Sequence, residues 1–243
     1  MDFSNIAPGS TVLLHSSYAR FYRRTKMRPE KFLDLFLERL GSEGTLLLPL
    51  FNFDFTRGVP FDIRTTPSQM GNVTEAARHR NGGVRTGHPV YSFVAIGAKA
   101  PQFEGIDNFS GYGSDSPFAM LRRLDADIAV LDLPDQHSMT FYHHVEEMCG
   151  VEYRAHKNFD GRYTDVDGIE SRRRYSIFVR RTEQGVKTSV NRMGSLLWQK
   201  GIYRGDREKQ GTGLRIASAN AIYEATAEVI NAGKAKDYLY EID

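Results

Sequence analysis

The chain has 243 residues, is 40% hydrophobic and 26% charged, and carries a net charge of +2, a balance ordinary for a soluble protein with a buried core. No apolar run nears the ~20 residues that span a bilayer, the polar start Met1-Asp2-Phe3-Ser4-Asn5 lacks the basic and apolar parts of a secretion signal, and the single cysteine, Cys149, excludes an internal disulfide and a thiolate zinc cluster. A cytoplasmic, enzyme-sized protein with no membrane partner is the expectation.

Thr11-Val12-Leu13-Leu14-His15 reads as a buried strand between Pro8-Gly9 and the polar turn Ser16-Ser17. Pro29 to Leu40 follows as a helix with proline in its first turn, apolar residues at Phe32, Leu33, Phe36, Leu37 and Leu40, and Gly41 as terminator. Thr45 to Phe51 is nearly all apolar, a strand buried on both faces and therefore flanked by helices. Thr66-Pro67-Ser68-Gln69 has the form of a capping box and predicts a helix through Glu75 towards Arg78. Asn81-Gly82-Gly83 then turns the chain ahead of a strand from Val90 to Ile96. Ser116-Pro117 opens a short helix to Leu124, Asp127 to Leu133 is a strand, and another helix follows Pro134. Beyond it the pattern gives a basic strand at Arg173 to Arg180, a helix near Asn191 to Lys200 and a last helix from about Ser218 to Ala232. With no internal repeat or linker, the alternation predicts one α/β domain over residues 1–243, a mostly buried mixed β-sheet flanked by helices on both faces.

Reactive side chains concentrate in Met139-Thr140-Phe141-Tyr142-His143-His144-Val145-Glu146-Glu147. On a helix, residues three and four apart are neighbours, so Thr140, His143 and either Glu146 or Glu147 form a column able to move a proton. The same residues would equally serve an amphipathic helix whose histidines only pack. His15-Ser16-Ser17 ends a strand, where hydroxyls and free amides can hold a phosphate or simply make a turn. Arg85-Thr86-Gly87-His88-Pro89 precedes another strand, and the proline holds His88 extended. Gly111-Tyr112-Gly113-Ser114-Asp115-Ser116-Pro117 runs into a helix N-terminus, which favours anions, but lacks the lysine of a P-loop. Gly211-Thr212-Gly213 is a weaker counterpart. Positive charge is bunched in Arg20 to Arg28 and Arg172 to Arg181, runs that suit phosphate-bearing partners or a solvated face. No zinc-finger, RRM or KH pattern accompanies them, so no nucleic-acid partner is expected.

Taken in order, Val12-Leu13-Leu14-His15-Ser16-Ser17, Gly44-Thr45-Leu46-Leu47-Leu48-Pro49, and Thr66-Pro67-Ser68-Gln69-Met70-Gly71 with Glu75 and Arg78 resemble the aminoglycoside 3-N-acetyltransferase, or antibiotic N-acetyltransferase, family. So do Arg85-Thr86-Gly87-His88-Pro89 with Ser92-Phe93, Gly113-Ser114-Asp115-Ser116-Pro117, and Thr140-Phe141-Tyr142-His143 with Glu146. The resemblance covers residues 8 to 155 and lies in the shared order of these segments. It implies acyl transfer from acetyl-CoA or another acyl-CoA to an amine on a sugar, with no metal. It further implies His143 as general base, since imidazole titrates near working pH, and Thr140 as donor to the tetrahedral oxyanion or the departing thiolate. Glu146 would orient His143, a role open also to Glu183, while His144 points about a quarter turn away as a bystander. His15, Ser16, Ser17, Ser68 and Arg85 are candidates for the coenzyme A pocket, and His88, Asp115 and Arg174 for the acceptor.

Met139 stands where that family often has asparagine before the motif threonine. The basic runs and a pI near 8.6 would repel a polycationic aminoglycoside. The expected acceptor is therefore a nucleotide-linked amino sugar of surface-polysaccharide synthesis, its pyrophosphate met by Arg172 to Arg174 or by Arg180 and Arg181. The alternative is an aminoglycoside 3-N-acetyltransferase conferring antibiotic resistance. Further readings are a metal-dependent hydrolase on His137, His143, Glu146 and Glu147, which lacks His-Glu-x-x-His and clustered aspartates, and a non-catalytic nucleic-acid or polysaccharide binding module.

Overall fold

The computed structural model describes residues 3–243. Its first half runs β1 (Thr11–Ser16), α1 (Tyr18–Thr25), α2 (Pro29–Leu40), β2 (Thr45–Pro49), β3 (Phe61–Asp62), α3 (Asn72–Arg78), β4 (Val84–Arg85), β5 (Phe93–Gly97), α4 (Pro117–Arg123) and β6 (Asp127–Leu131). The second runs α5 (Phe141–Met148), β7 (Arg154–Thr164), β8 (Glu170–Arg180), β9 (Val186–Thr188), α6 (Asn191–Gln199), β10 (Arg204–Gly205), β11 (Leu214–Ser218), α7 (Ala219–Asn231), α8 (Ala235–Tyr238) and β12 (Tyr240–Ile242).

Seven strands form the central sheet in the order β10-β11-β6-β1-β2-β5-β4. β6 and β2 flank β1 in parallel, and the outer pairs are antiparallel. The apolar runs of β1, β2 and β6 serve two cores, because alternate side chains leave opposite faces. Val12, Leu14, Leu46, Leu48, Ala129 and Leu131 share a cluster with Phe32, Leu33 and Phe36 of α2 and Val73 of α3. Leu13, Leu47, Ile128 and Val130 turn the other way, towards Phe118 of α4, Phe141 and Val145 of α5, Leu197 of α6 and Ile222 of α7. The mixed sheet with helices on both faces is thus as expected. Among the described residues no helix is long and apolar enough to cross a membrane.

Several boundaries move for local reasons. The helix expected from Thr66 begins at Asn72. Thr66 Oγ1 instead accepts from the Asp62 amide at 2.9 Å and Gln69 Oε1 from the Phe53 amide at 3.1 Å, so capping-type side chains pin loops rather than a helix. The strand expected from Val90 begins at Phe93, because the amides of Val90 and Tyr91 are donated to His88 Nδ1. The strand expected to reach Leu133 stops at Leu131, since Asp132 takes a left-handed φ of 53°. β7 and β11 lie where the sequence suggested no element. β7 pairs with β8 along its whole length and with β3 at its far end, and β12 pairs with β9.

The parallel strands end together, and the chain leaves β1 towards β2 on one side while β6 lies on the other. Ligands of open α/β sheets favour the crevice at such carboxyl ends.

Candidate active site

Met139, 3% exposed, anchors the chain just ahead of α5. Phe141, Tyr142 and Val145 are fully buried, which seats α5 against α4 and α7. His143 and Glu146 then share the next face, one turn apart. Gly150, with a left-handed φ of 62°, ends the helix region, and the chain returns through Tyr153 into β7.

His143 Nδ1 lies 2.7 Å from Glu146 Oε2. Arg154 closes the group. Its Nε is 2.7 Å from the same Oε2, an ion pair rather than an aligned hydrogen bond, and its Nη2 is 2.8 Å from His143 Nδ1. Tyr153 Oη donates to Glu146 Oε1 at 2.9 Å, so both carboxylate oxygens are engaged. A carboxylate can only accept and a guanidinium can only donate, so the two cannot both hydrogen-bond Nδ1 at once; the tautomer that makes His143 a base carries its proton on Nδ1 towards Glu146, has Arg154 Nη2 as a close neighbour only, and leaves Nε2 with the lone pair. No described residue hydrogen-bonds Nε2.

Burial lowers the His143 pKa below the usual 6.5, and the Arg154 charge adds to this against the opposing pull of Glu146. Burial pushes the Glu146 carboxyl up, but Arg154, and then His143, outweigh it and hold it below the usual 4.5. At neutral pH the set is a neutral imidazole beside a carboxylate–guanidinium pair, the protonation state of a general base.

His143 opens onto a cavity of about 660 Å³ lined by Phe53 after β2, Gln136 after β6, Tyr91, Tyr112, and Lys157 and Arg180 of the β7–β8 hairpin. Tyr112 meets the imidazole edge-on with ring centroids 5.4 Å apart and lies 4.7 Å from Tyr91. Burial raises both phenol pKa values, so each keeps its proton. The neighbouring side chains serve other ends: Glu147 Oε2 accepts from Ser110 Oγ at 2.8 Å, and His144 Nδ1 lies 2.7 Å from the Tyr112 carbonyl. Thr140 offers its carbonyl to the His143 amide at 3.0 Å, but is not among the residues lining the cavity.

Of the expected coenzyme A residues, Ser16 and Ser17 line a second cleft of about 630 Å³ with Tyr18, Arg28, Met70 and Asn72. His15 is buried behind them, its Nε2 without a partner among the described residues, and burial, aided by Arg215, lowers its pKa to about 4. Ser68 stands two residues from Met70 but outside the cleft lining; its hydroxyl lies 2.9 Å from Thr74 Oγ1 and accepts from the Met70 amide at 3.1 Å. Arg85 does not join them. Its guanidinium donates to the carbonyls of Ile63 and Thr66 at 3.0 and 2.7 Å and to Ser92 Oγ at 3.3 Å, and it borders a separate cleft.

The three expected acceptor residues are not brought to His143. His88 is fully buried, its Nδ1 accepting from the Val90 and Tyr91 amides and its Nε2 lying 3.3 Å from the Ser176 carbonyl. The ring folds onto its own loop. Asp115 is exposed in the loop before α4, outside the cavity lining. Arg174 is exposed on β8 and donates to Asp160 Oδ1 at 2.9 Å. Arg154 and Tyr153, which hold the carboxylate, were not anticipated. Asp165-Val166-Asp167-Gly168, a turn sequence between two charged stretches, is the signal for the hairpin that carries Arg154.

Residues 13–231 match the family described as aminoglycoside 3-N-acetyltransferase. The chain belongs to that family. It is 31% identical over 208 residues to Aminoglycoside N(3)-acetyltransferase VII of Streptomyces paromomycinus, covering 72% of this chain and 70% of that one. Against Aminoglycoside N(3)-acetyltransferase VIII of Streptomyces fradiae it is 26% identical over 169 residues, 60% of this chain and 57% of that relative's length. Its fold is shared with AAC-IIIb in the binary complex with CoASH, at a TM-score of 0.78 and 20% identity over 93% of this chain and 91% of that one.

Family membership overturns the expected sugar-nucleotide acceptor and the assignment to polysaccharide synthesis, since the family and the two Streptomyces relatives are named for aminoglycosides. The part of the charge argument that rested on Arg172 to Arg174 also fails in the structure, although Arg180 does line the cavity. Arg173 is paired with Asp107 and Asp165, and Arg174 with Asp160. At about 3.3 Å per residue they lie roughly 20 Å along β8 from Arg180, towards the hairpin tip.

Proposed function

We propose that this acetyltransferase moves the acetyl group of acetyl-CoA onto an amino group of an aminoglycoside, and so confers resistance to the drug. The observation that carries this reading is the His143–Glu146 pair, with Nδ1 held at 2.7 Å and the other ring nitrogen left for the cavity. The names of the two Streptomyces relatives support the acceptor, and CoASH in the AAC-IIIb complex supports the donor.

The acceptor enters as an ammonium and must lose a proton to His143 Nε2 before its nitrogen can attack the thioester carbonyl carbon. The attack forms the N–C bond and a tetrahedral intermediate whose nitrogen sheds its second proton to solvent; the C–S bond then breaks, and the imidazolium returns the first proton to the leaving thiolate. We assign oxyanion stabilisation to the hydroxyl of Tyr91 or Tyr112 in preference to Thr140, because both phenols line the cavity and keep their protons. Coenzyme A would lie against Ser16 and Ser17. The support is their place at the carboxyl end of β1 and the exposed Arg28 in the same cleft, a local charge suited to phosphates.

Incubation with acetyl-CoA and a panel of aminoglycosides tests this directly. Release of free CoA thiol with at least one acceptor, matched by an added acetyl group on the drug, is the expected result. No release across the panel refutes the reading.

A further inference from the structure

Arg154 is the member of the site that acyl-transfer chemistry does not by itself require. Its side chain is 4% exposed, and an ion so placed costs several kcal/mol of desolvation unless its partners compensate. Those partners are specific. Nε faces Glu146 Oε2 at 2.7 Å and Nη1 donates to the Phe178 carbonyl across the hairpin at 3.0 Å, while Nη2 packs 2.8 Å from His143 Nδ1, where a protonated Nδ1 offers it no hydrogen bond.

We propose that Arg154 is a positioning residue of the His143–Glu146 pair, clamping the carboxylate against Nδ1 and cancelling its charge so that the imidazole waits neutral for the acceptor. This rests on His143 being the base. With Oε1 taken by Tyr153 and Oε2 shared between His143 and Arg154, the carboxylate has no freedom to rotate away, and the ring bonded to it keeps one orientation. A guanidinium can span Oε2 and the Phe178 carbonyl because its donors form a rigid fork, which an ammonium cannot reproduce.

The charge has a second effect. A lone buried carboxylate 2.7 Å from an imidazole would hold it as imidazolium, useless as a base. Arg154 opposes that, and Arg180 of β8 acts in the same direction. Lys157 of β7 and Glu183, in the turn after β8, line the same cavity. Tyr112 and Tyr153 face the pair as neutral phenols.

The test is a titration of His143 by NMR on the full chain with labelled histidine and no substrate, alongside the pH profile of kcat/KM. Wild type is expected as the Nδ1-protonated tautomer with a midpoint below 6.5. Arg154→Met should raise the midpoint and the acid limb of the profile together by roughly one to three pH units, the usual effect of a neighbouring charge. Arg154→Lys keeps the charge but loses the fork, so the midpoint should stay near wild type while kcat falls. A wild-type ring protonated on Nε2, a midpoint unmoved in Arg154→Met, or full kcat in Arg154→Lys would each overturn the proposal. If Arg154→Met does not fold, the wild-type tautomer and the Lys variant still decide. An enzyme that releases no thiol with any aminoglycoside would instead sink the acceptor reading and leave the titration standing.

Discussion

Tyr240 of β12 stacks on Tyr153 with ring centroids 3.9 Å apart and planes inclined by 24°, and Tyr153 donates to Glu146 Oε1 at 2.9 Å. The carboxylate behind His143 is therefore braced from outside its own helix, by a strand pair that joins β12 to β9. Tyr153→Phe removes one charge-assisted hydrogen bond, worth about 1.5–3 kcal/mol. If a comparable part is lost from transition-state stabilisation, kcat falls by roughly tenfold or more. Tyr240→Ala, which only loosens the brace, should give a smaller loss of the same kind. Steady-state kinetics check both, and unchanged kcat in Tyr153→Phe would remove the brace from the account.

The acceptor meets mixed charge. Glu183, 66% exposed, lines the same cavity as Lys157 and Arg180. Glu183→Gln is expected to raise KM for a polycationic aminoglycoside several-fold, and Lys157→Gln to lower it. Both effects should shrink in about 0.5 M salt, because exposed charges are screened over a few ångströms there. Shifts of the same sign in the two variants would contradict this.

Behind the site, Arg215 and Asp135 form a buried pair at 2.8 Å with 1% and 6% side-chain exposure. Tyr142 and Tyr203 both donate to Asp135 Oδ2, at 2.5 and 2.7 Å. Arg215→Met would leave that carboxylate buried without its cation, a change that costs about 3–5 kcal/mol. Urea unfolding should show that loss, and a variant as stable as wild type would show the network to be dispensable.

Stability should also fall on the acid side of neutrality. Burial lowers His15, His88 and His144 to about 4 from the usual 6.5. Between those values the unfolded chain binds protons that the folded chain refuses, so stability present above 6.5 is lost as the pH falls towards 4. The total is on the order of several kcal/mol. Denaturant unfolding at pH 7 and pH 4.5 measures it, and equal stability at the two would contradict the assignment of neutral buried rings.

The order of core elements was legible because β1, β2 and α2 carry unbroken or strictly periodic apolar residues that only burial explains. The His143–Glu146 contact was legible too, since three-residue spacing on a helix is a local relation. Arg154 was not: although only eight positions beyond Glu146, it reaches the site through the Gly150 turn and a hairpin whose strand β7 alternates charges instead of apolar residues. His88 and Arg85 misled for a related reason. Their residue types suited a ligand, but backbone groups of neighbouring loops had first claim on them. The basic run at Arg172 to Arg174 gave no sign in sequence that Asp107, Asp160 and Asp165 would be folded against it.

The most direct test is acetyl-CoA-dependent thiol release with an aminoglycoside acceptor, compared between wild type and His143→Gln, with CoASH binding followed by calorimetry in both. Loss of about 10²–10⁴ in kcat with CoASH binding intact is the predicted result for removal of a general base. A His143→Gln enzyme that transfers acetyl groups at the wild-type rate would contradict the account.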